Sequence, residues 1–198
     1  MSLADKPQRR LLALLLTCTL TMTALVMGSS VSPTPAAANA PRDYVSLVDP
    51  WIEADIARYF FFQSASNPFG FVKLRPDTST HSSGGTGYRT TENDVKGFSH
   101  VHEWQFSGIQ VMPTSGASVP KTEGDTGWQS HVDHDDSEIA EPGYHQVHLD
   151  RYDIKAELTV TDRVGFHRYT YGRSGRSEVI VNLGGTLGEA VMKDASFI

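Results

Sequence analysis

Beyond residue 40 the apolar positions recur every second residue, in short runs broken by Gly, Pro, Asp and Ser. No run of useful length keeps the spacing of an amphipathic helix. The clearest run is Ile154-Lys155-Ala156-Glu157-Leu158-Thr159-Val160-Thr161. Ile154, Ala156, Leu158 and Val160 share one face and polar residues the other, which predicts a strand with one wet face. Asp162-Arg163 marks a turn into a second strand over Val164 to Tyr171, and Ser177 to Leu183 makes a third before Gly184-Gly185. Tyr144 to Leu149, after Pro142-Gly143, is a fourth. Upstream, Phe69 to Leu74 and Phe106 to Met112 are expected as strands closed by Pro76 and Pro113. The pattern predicts an all-β fold, an antiparallel β-sandwich with long loops. Two loops stand out: a Gly/Ser/Thr run at Ser79 to Gly87, and the polar stretch Thr114 to Asp136, which holds Trp128 and an acidic, His-bearing tip.

The first 40 residues follow another pattern. Lys6, Arg9 and Arg10 precede a nearly apolar run from Leu11 to Met27, and small residues then lead to Ala38-Asn39-Ala40. This is the build of a secretory signal peptide, 1–40, with cleavage expected after Ala40. The run is short for a membrane span, so the mature chain is expected to be secreted or periplasmic, with no membrane attachment. Arg9-Arg10 leaves the general and twin-arginine export routes equally open. The one cysteine, Cys18, lies within the leader, so disulfides do not hold the mature domain together. Removing three basic residues and one acidic takes the net charge from −6 to −8. No basic stripe remains for phosphates, which argues against a nucleic-acid partner.

Three groups of residues bear on chemistry. In Gly97-Phe98-Ser99-His100-Val101-His102-Glu103-Trp104, two histidines at i and i+2 on a strand would share a face and hold a metal or a sugar hydroxyl. The plainer alternative is a polar strand face bonded to neighbouring loops. Trp104, Tyr88 and Trp128 in polar surroundings suit a sugar, whose C–H face packs on a ring while its hydroxyls need paired partners. His131 to Glu138, with Glu141, mixes carboxylates and imidazoles in a way that favours neither calcium nor a transition metal, and its spacing is not that of an EF-hand. Glycoside hydrolysis needs two carboxylates across the bond, and spacing alone does not choose among Glu92, Asp94, Glu103 and Asp133. No G-x-S-x-G, P-loop or H-E-x-x-H occurs.

Several segments, in order, resemble one family: Tyr44-Val45 to Val48-Asp49-Pro50; Asn67-Pro68-Phe69-Gly70-Phe71-Val72-Lys73-Leu74-Arg75-Pro76-Asp77-Thr78; Gly97-Phe98-Ser99-His100-Val101-His102; and Val111-Met112-Pro113. Ser130-His131, Glu141-Pro142-Gly143-Tyr144, Ile154 to Thr159 and Arg163-Val164-Gly165-Phe166-His167-Arg168-Tyr169 continue it. Together they resemble the opening of glycoside hydrolase family 92, over nearly all of the mature chain. The resemblance implies an exported, calcium-dependent, inverting exo-α-mannosidase acting on α-mannosides or mannose-containing glycans. It implies an N-terminal sandwich packed on a helical barrel, with the catalytic acid, the base and most calcium ligands on the barrel.

Residues 41–198 are therefore expected to be that sandwich, incomplete at Ser196-Phe197-Ile198 and inactive alone. No catalytic or metal residue is assigned to it. The expected contribution is the pocket wall: Asp77, Tyr88, Ser99, His100, His102, Glu103 and Trp104. Two segments depart from the family pattern. Pro50 is followed by Trp51-Ile52-Glu53-Ala54-Asp55 where a Gly-Thr-Gly-Gly-like run is usual, and His102 by Glu103-Trp104-Gln105 where Leu-Ser-Gly is common. Other readings are a freestanding carbohydrate-binding sandwich that stacks sugars on Trp104, Trp128 and Tyr88, and a metal-binding protein using His100, His102, His131 and His134.

Overall fold

A computed structural model describes residues 42–52, 54–55, 64–78, 87–102, 108–116, 119, 127–185, 193–194 and 196. The expected signal peptide, Glu103 and Trp104 lie outside these residues. Among the described residues the regular elements are a 3-10 turn at Val45–Leu47 and ten strands. The strands are β1 (Arg75–Asp77), β2 (Asp94–Val95), β3 (Gly97–Ser99), β4 (Gln110–Ser115) and β5 (Ser130–His131). There follow β6 (Ile139–Glu141), β7 (Tyr144–Leu149), β8 (Ile154–Val160), β9 (Gly165–Tyr171) and β10 (Ser177–Asn182). All pairings are antiparallel. One sheet runs β1-β3-β4-β10, the other β6-β7-β8-β9, and β2 and β5 form a small third ladder.

The C-terminal strands fall where alternation placed them. On β8, Ile154, Ala156 and Leu158 are buried, and β7 answers with Val147 and Leu149 in register. Asp162 and Arg163 lie in the turn between β8 and β9, closed by the Thr161 N–H on the Val164 carbonyl at 2.8 Å. Phe98 on β3 and Met112 on β4 fill the opposite side of the core, and β4 packs across to β8. Each such fully buried side chain contributes about 1.5–3 kcal/mol relative to exposure. The connection from β9 to β10 carries the chain between the two sheets, and β10 closes on β4 with only Ile180 turned to the core.

The upstream strands differ from expectation. Residues 69–74 form no strand; they carry a single bridge, Ser66 with Lys73. The Gly70 N–H turns back to the Asn67 carbonyl and the Phe71 N–H bonds the Asp162 carbonyl, so the backbone is satisfied by a turn and a loop. Phe69 is fully solvent-exposed, while Val72 and Leu74 still reach the core. Neither proline ends a strand. Pro76 lies inside β1 at a sheet edge, where a missing N–H is tolerated. Pro113 lies inside β4, past the two residues that pair with β3. The expected strand at 106–112 is thereby shifted to Gln110–Ser115, with 103–107 outside the described residues. Trp128, placed by sequence in a polar loop, is a core residue whose indole N–H donates to the Lys96 carbonyl at 2.8 Å.

Candidate functional site

β1 and β3 pair with Arg75 opposite Ser99 and Asp77 opposite Gly97, and β3 continues into β4 through Ser99 opposite Gln110. Alternation along β3 sends Phe98 to the apolar core and Ser99 to the other face, where Asp77 lies. Asp77 is fully buried. Its Oδ2 accepts the Ser99 hydroxyl at 2.5 Å and the Gln110 amide at 2.7 Å, and its Oδ1 faces His102 Nε2 at 2.6 Å. Gln110 accepts in turn from Asn182 on β10 at 2.9 Å. A Cβ on Gly97 would sit 2.5 Å from Gln110 Cγ, so glycine is required there for Gln110 to reach Asp77. The buried Arg75 guanidinium stands beside Asp77, whose charge offsets part of its desolvation.

The 100–102 segment is strapped down by this knot. His102 donates Nδ1–H to the Lys73 carbonyl at 2.6 Å, and the Lys73 N–H donates to the His100 carbonyl at 2.8 Å. With Nδ1–H given to Lys73, the 2.6 Å contact between His102 Nε2 and Asp77 Oδ1 is closed by one shared proton. Both His102 nitrogens are thus occupied. β3 ends at Ser99, so the strand rule that would align His100 with His102 does not apply. The H-x-H chelate is not formed.

His100 instead crosses the sandwich. Its Nε2 lies 3.0 Å from Nε2 of His167 on β9, and His167 Nδ1 lies 2.7 Å from the Tyr169 hydroxyl. A Cβ on Gly165 would stand 2.5 Å from His100 Cδ2, so the imidazole occupies space that any other residue would fill. Burial, together with the neighbouring His100 charge, pushes the His167 imidazole down to about 4. Between that value and the ordinary pKa of about 6.5 the unfolded chain binds a proton that the folded chain does not. Stability is therefore present above pH 6.5 and lost as pH falls toward 4, by an amount on the order of 3 kcal/mol at most. Thermal melts at stepped pH are expected to show this loss, and His167→Phe is expected to lessen it, the remainder coming from His100 and His102, which burial also lowers. A wild-type melting temperature flat from pH 6.5 to 4 refutes the assignment.

A second polar centre gathers around Glu138. Its Oε1 accepts the Tyr88 hydroxyl at 2.7 Å and faces His145 Nε2 at 2.5 Å, while Oε2 faces His134 Nδ1 at 2.5 Å. Ser64 closes the far side of the His145 ring at 2.5 Å, and His134 Nε2 reaches the Glu92 carbonyl at 3.0 Å. Trp51, in one of the two departing segments, packs edge-on against His145 with ring centroids 6.5 Å apart.

Of the expected wall residues that are described, the structure joins Asp77, Ser99 and His102 in one knot, and leaves only His100 partly exposed. Tyr88 is 0% exposed and belongs to the Glu138 centre, and Trp128 is 5% exposed. Neither offers a ring face for stacking. Of the four histidines read as a metal set, His102 and His134 have both nitrogens engaged and His131 sits at the surface beside Asp94. Sequence reading missed Gln110, His145, His167 and Tyr169. The i, i+2 spacing of His167 and Tyr169 on a predicted strand was an available sign that they share a face.

Two antiparallel sheets whose inward polar groups strap one loop against the core define a β-sandwich domain with a braced surface segment. The model of the glycosyl hydrolase family 92 N-terminal domain matches residues 47–197, and the chain belongs to this family. Among solved structures it is similar to the family GH92 alpha-mannosidase BT3965 from Bacteroides thetaiotaomicron, alone and in complex with mannoimidazole. Identity to the complexed form is 27% with a TM-score of 0.69, over 74% of this chain and 20% of that one. The GH92 family glycosyl hydrolase ccman5 is similar at 26% identity and a TM-score of 0.62, over 73% of this chain and 21% of that one. The chain thus spans about a fifth of the length of these relatives. No curated protein matches it.

Proposed function

We propose that this domain forms the sandwich side of a mannoside pocket in an exported, inverting exo-α-mannosidase, and that it does not hydrolyse glycosides by itself. The observation that carries the reading is the braced segment 100–102. A buried carboxylate, a hydroxyl, an amide and a backbone carbonyl hold it from behind, and only His100 keeps a partly exposed ring. Such bracing fixes a polar side chain against a ligand without further ordering cost. A relative solved with mannoimidazole supports mannose as the sugar. The signal-like first 40 residues support export.

Calcium, which the family resemblance implies, finds no fit in the described residues. It takes six to eight oxygens. Glu138 is consumed by Tyr88, His134 and His145, and no group of three or more His, Cys, Asp or Glu side chains among the described residues is arranged to hold a metal ion. On this reading calcium, the general acid and the base are supplied from elsewhere in the enzyme, as the family resemblance implies.

The test is hydrolysis of an aryl α-mannoside and of α-linked mannobiose by the protein as its gene expresses it. Activity abolished by chelation and restored by calcium is expected, and calcium-independent cleavage of a different glycoside sinks the reading. His100→Ala is expected to lower kcat/KM about 10- to 100-fold by removing a positioned ring edge from the pocket wall, with the melting temperature within a few degrees of wild type. Unchanged kinetics removes His100 from the pocket.

A further inference from the structure

We propose that His100 and His167 form a two-imidazole site for a divalent transition-metal ion, of the zinc, cobalt or nickel class, braced by Ile109 and Tyr169. The two residues are 67 positions apart, yet their Nε2 atoms face each other at 3.0 Å. Two nitrogens bound at about 2.0–2.1 Å to one tetrahedral ion lie about 3.3–3.4 Å apart, so the rings need separate by only a few tenths of an ångström. Gly165 clears the room in which the His100 ring lies.

The other nitrogen of each ring supports the same reading. The second nitrogen of His100 faces the backbone of Ile109, an interaction that favours the protonated ring. His167 Nδ1 meets the Tyr169 hydroxyl. Metal-bound histidines characteristically donate their second N–H to a carbonyl or other oxygen, which fixes the ring and raises its basicity. Both rings here have that partner in place.

The protons balance without loss. In the metal-free pair, Tyr169 O–H donates to His167 Nδ1, His167 Nε2–H donates to His100 Nε2, and the remaining His100 N–H donates to Ile109. On metal binding the His167 proton moves from Nε2 to Nδ1 and the tyrosine hydroxyl turns to accept it. Each neutral ring keeps one N–H, and both Nε2 lone pairs meet the ion. No third His, Cys, Asp or Glu joins the pair among the described residues, so water completes the coordination. Imidazole nitrogen selects borderline ions over calcium or magnesium, which separates this site from the calcium of the proposed hydrolase.

The experiment is titration of the untagged chain with zinc by calorimetry and with cobalt(II) by visible absorption. One ion per chain is expected, with the Nε2 resonances of both rings shifted in nitrogen-edited NMR. His167→Phe is expected to weaken binding at least tenfold. Tyr169→Phe, which keeps the ring and its packing, is expected to weaken it about 10- to 100-fold, the range for loss of an outer partner. His131→Ala, at an exposed histidine, is expected to change nothing. Equal affinity in wild type and both β9 variants, loss confined to His131→Ala, or no binding at millimolar zinc each overturns the proposal.

Discussion

Asp77→Ala is expected to lower the stability of the domain by about 4–6 kcal/mol, enough to leave it largely unfolded at 37 °C. The carboxylate is fully buried and takes three partners: Ser99 at 2.5 Å, Gln110 at 2.7 Å and His102 at 2.6 Å. Alanine leaves each of these in the interior without that partner, at about 1–3 kcal/mol apiece, and opens a void as well. His102 also loses the group that shares its proton, so the strap over 100–102 loosens even in molecules that stay folded. Asp77→Asn keeps the shape and one acceptor and is expected to cost about half as much. Urea unfolding followed by tryptophan fluorescence gives the comparison. With a slope of about 1–3 kcal/mol per molar urea, the alanine midpoint falls by roughly 1.3 M or more. A midpoint unchanged in Asp77→Ala shows that the knot is not a stability element.

Glu138→Gln is the second large effect, and it separates two acid-sensitive windows. The bonds from His134, His145 and Tyr88 outweigh burial and hold the Glu138 carboxyl down at about 2. Its ordinary value is 4.5, so the unfolded chain takes up a proton between pH 4.5 and 2 that the folded chain refuses. Stability is present above pH 4.5 and falls by about 3 kcal/mol on the way to pH 2. His134 acts in the opposite sense: its bond to Glu138 raises it, so its contribution is present at low pH and is lost as pH rises through its folded value. In Glu138→Gln the wild-type decline between pH 4.5 and 2 is expected to shrink, the remainder coming from Glu157, which its bond from Arg168 also holds at about 2, while stability at pH 7 drops by about 2–4 kcal/mol because three groups lose a charged acceptor. The His167 window, from 6.5 to 4, persists in this variant. Differential scanning calorimetry across both ranges checks the assignment, and a decline below pH 4.5 as large as in wild type refutes it.

The fold and the site were legible to different degrees, for reasons visible in particular residues. β7, β8 and β9 were readable because each buries one face, and a period of two shows in any strand of five or more residues. β1 to β3 were not, because two or three residues are too few to show a period, and β1 and β3 are buried throughout. Arg75, Pro76 and Asp77 are all buried in succession, which shows no alternation at all. The aromatic residues misled for a related reason. Tyr88 and Trp128 stand among polar neighbours in sequence, yet each buries its ring and sends its one polar atom to a partner, Glu138 or the Lys96 carbonyl.

By itself the sequence determined the all-β class, the inward faces of the long strands, the leader-like first 40 residues and, through ordered motifs, the family. Tertiary structure alone decided the partners. Glu138 sits in an acidic run that reads as solvated surface, but His145 and Tyr88 arrive from β7 and from 50 residues upstream to hydrogen-bond it in the interior. His100 and His102 are neighbours in sequence and part company in space, one to His167 and the other to Asp77. Alternation tells a side chain which face to take; which residue waits within 3 Å on that face depends on how two sheets stack, and nothing local in the chain encodes it.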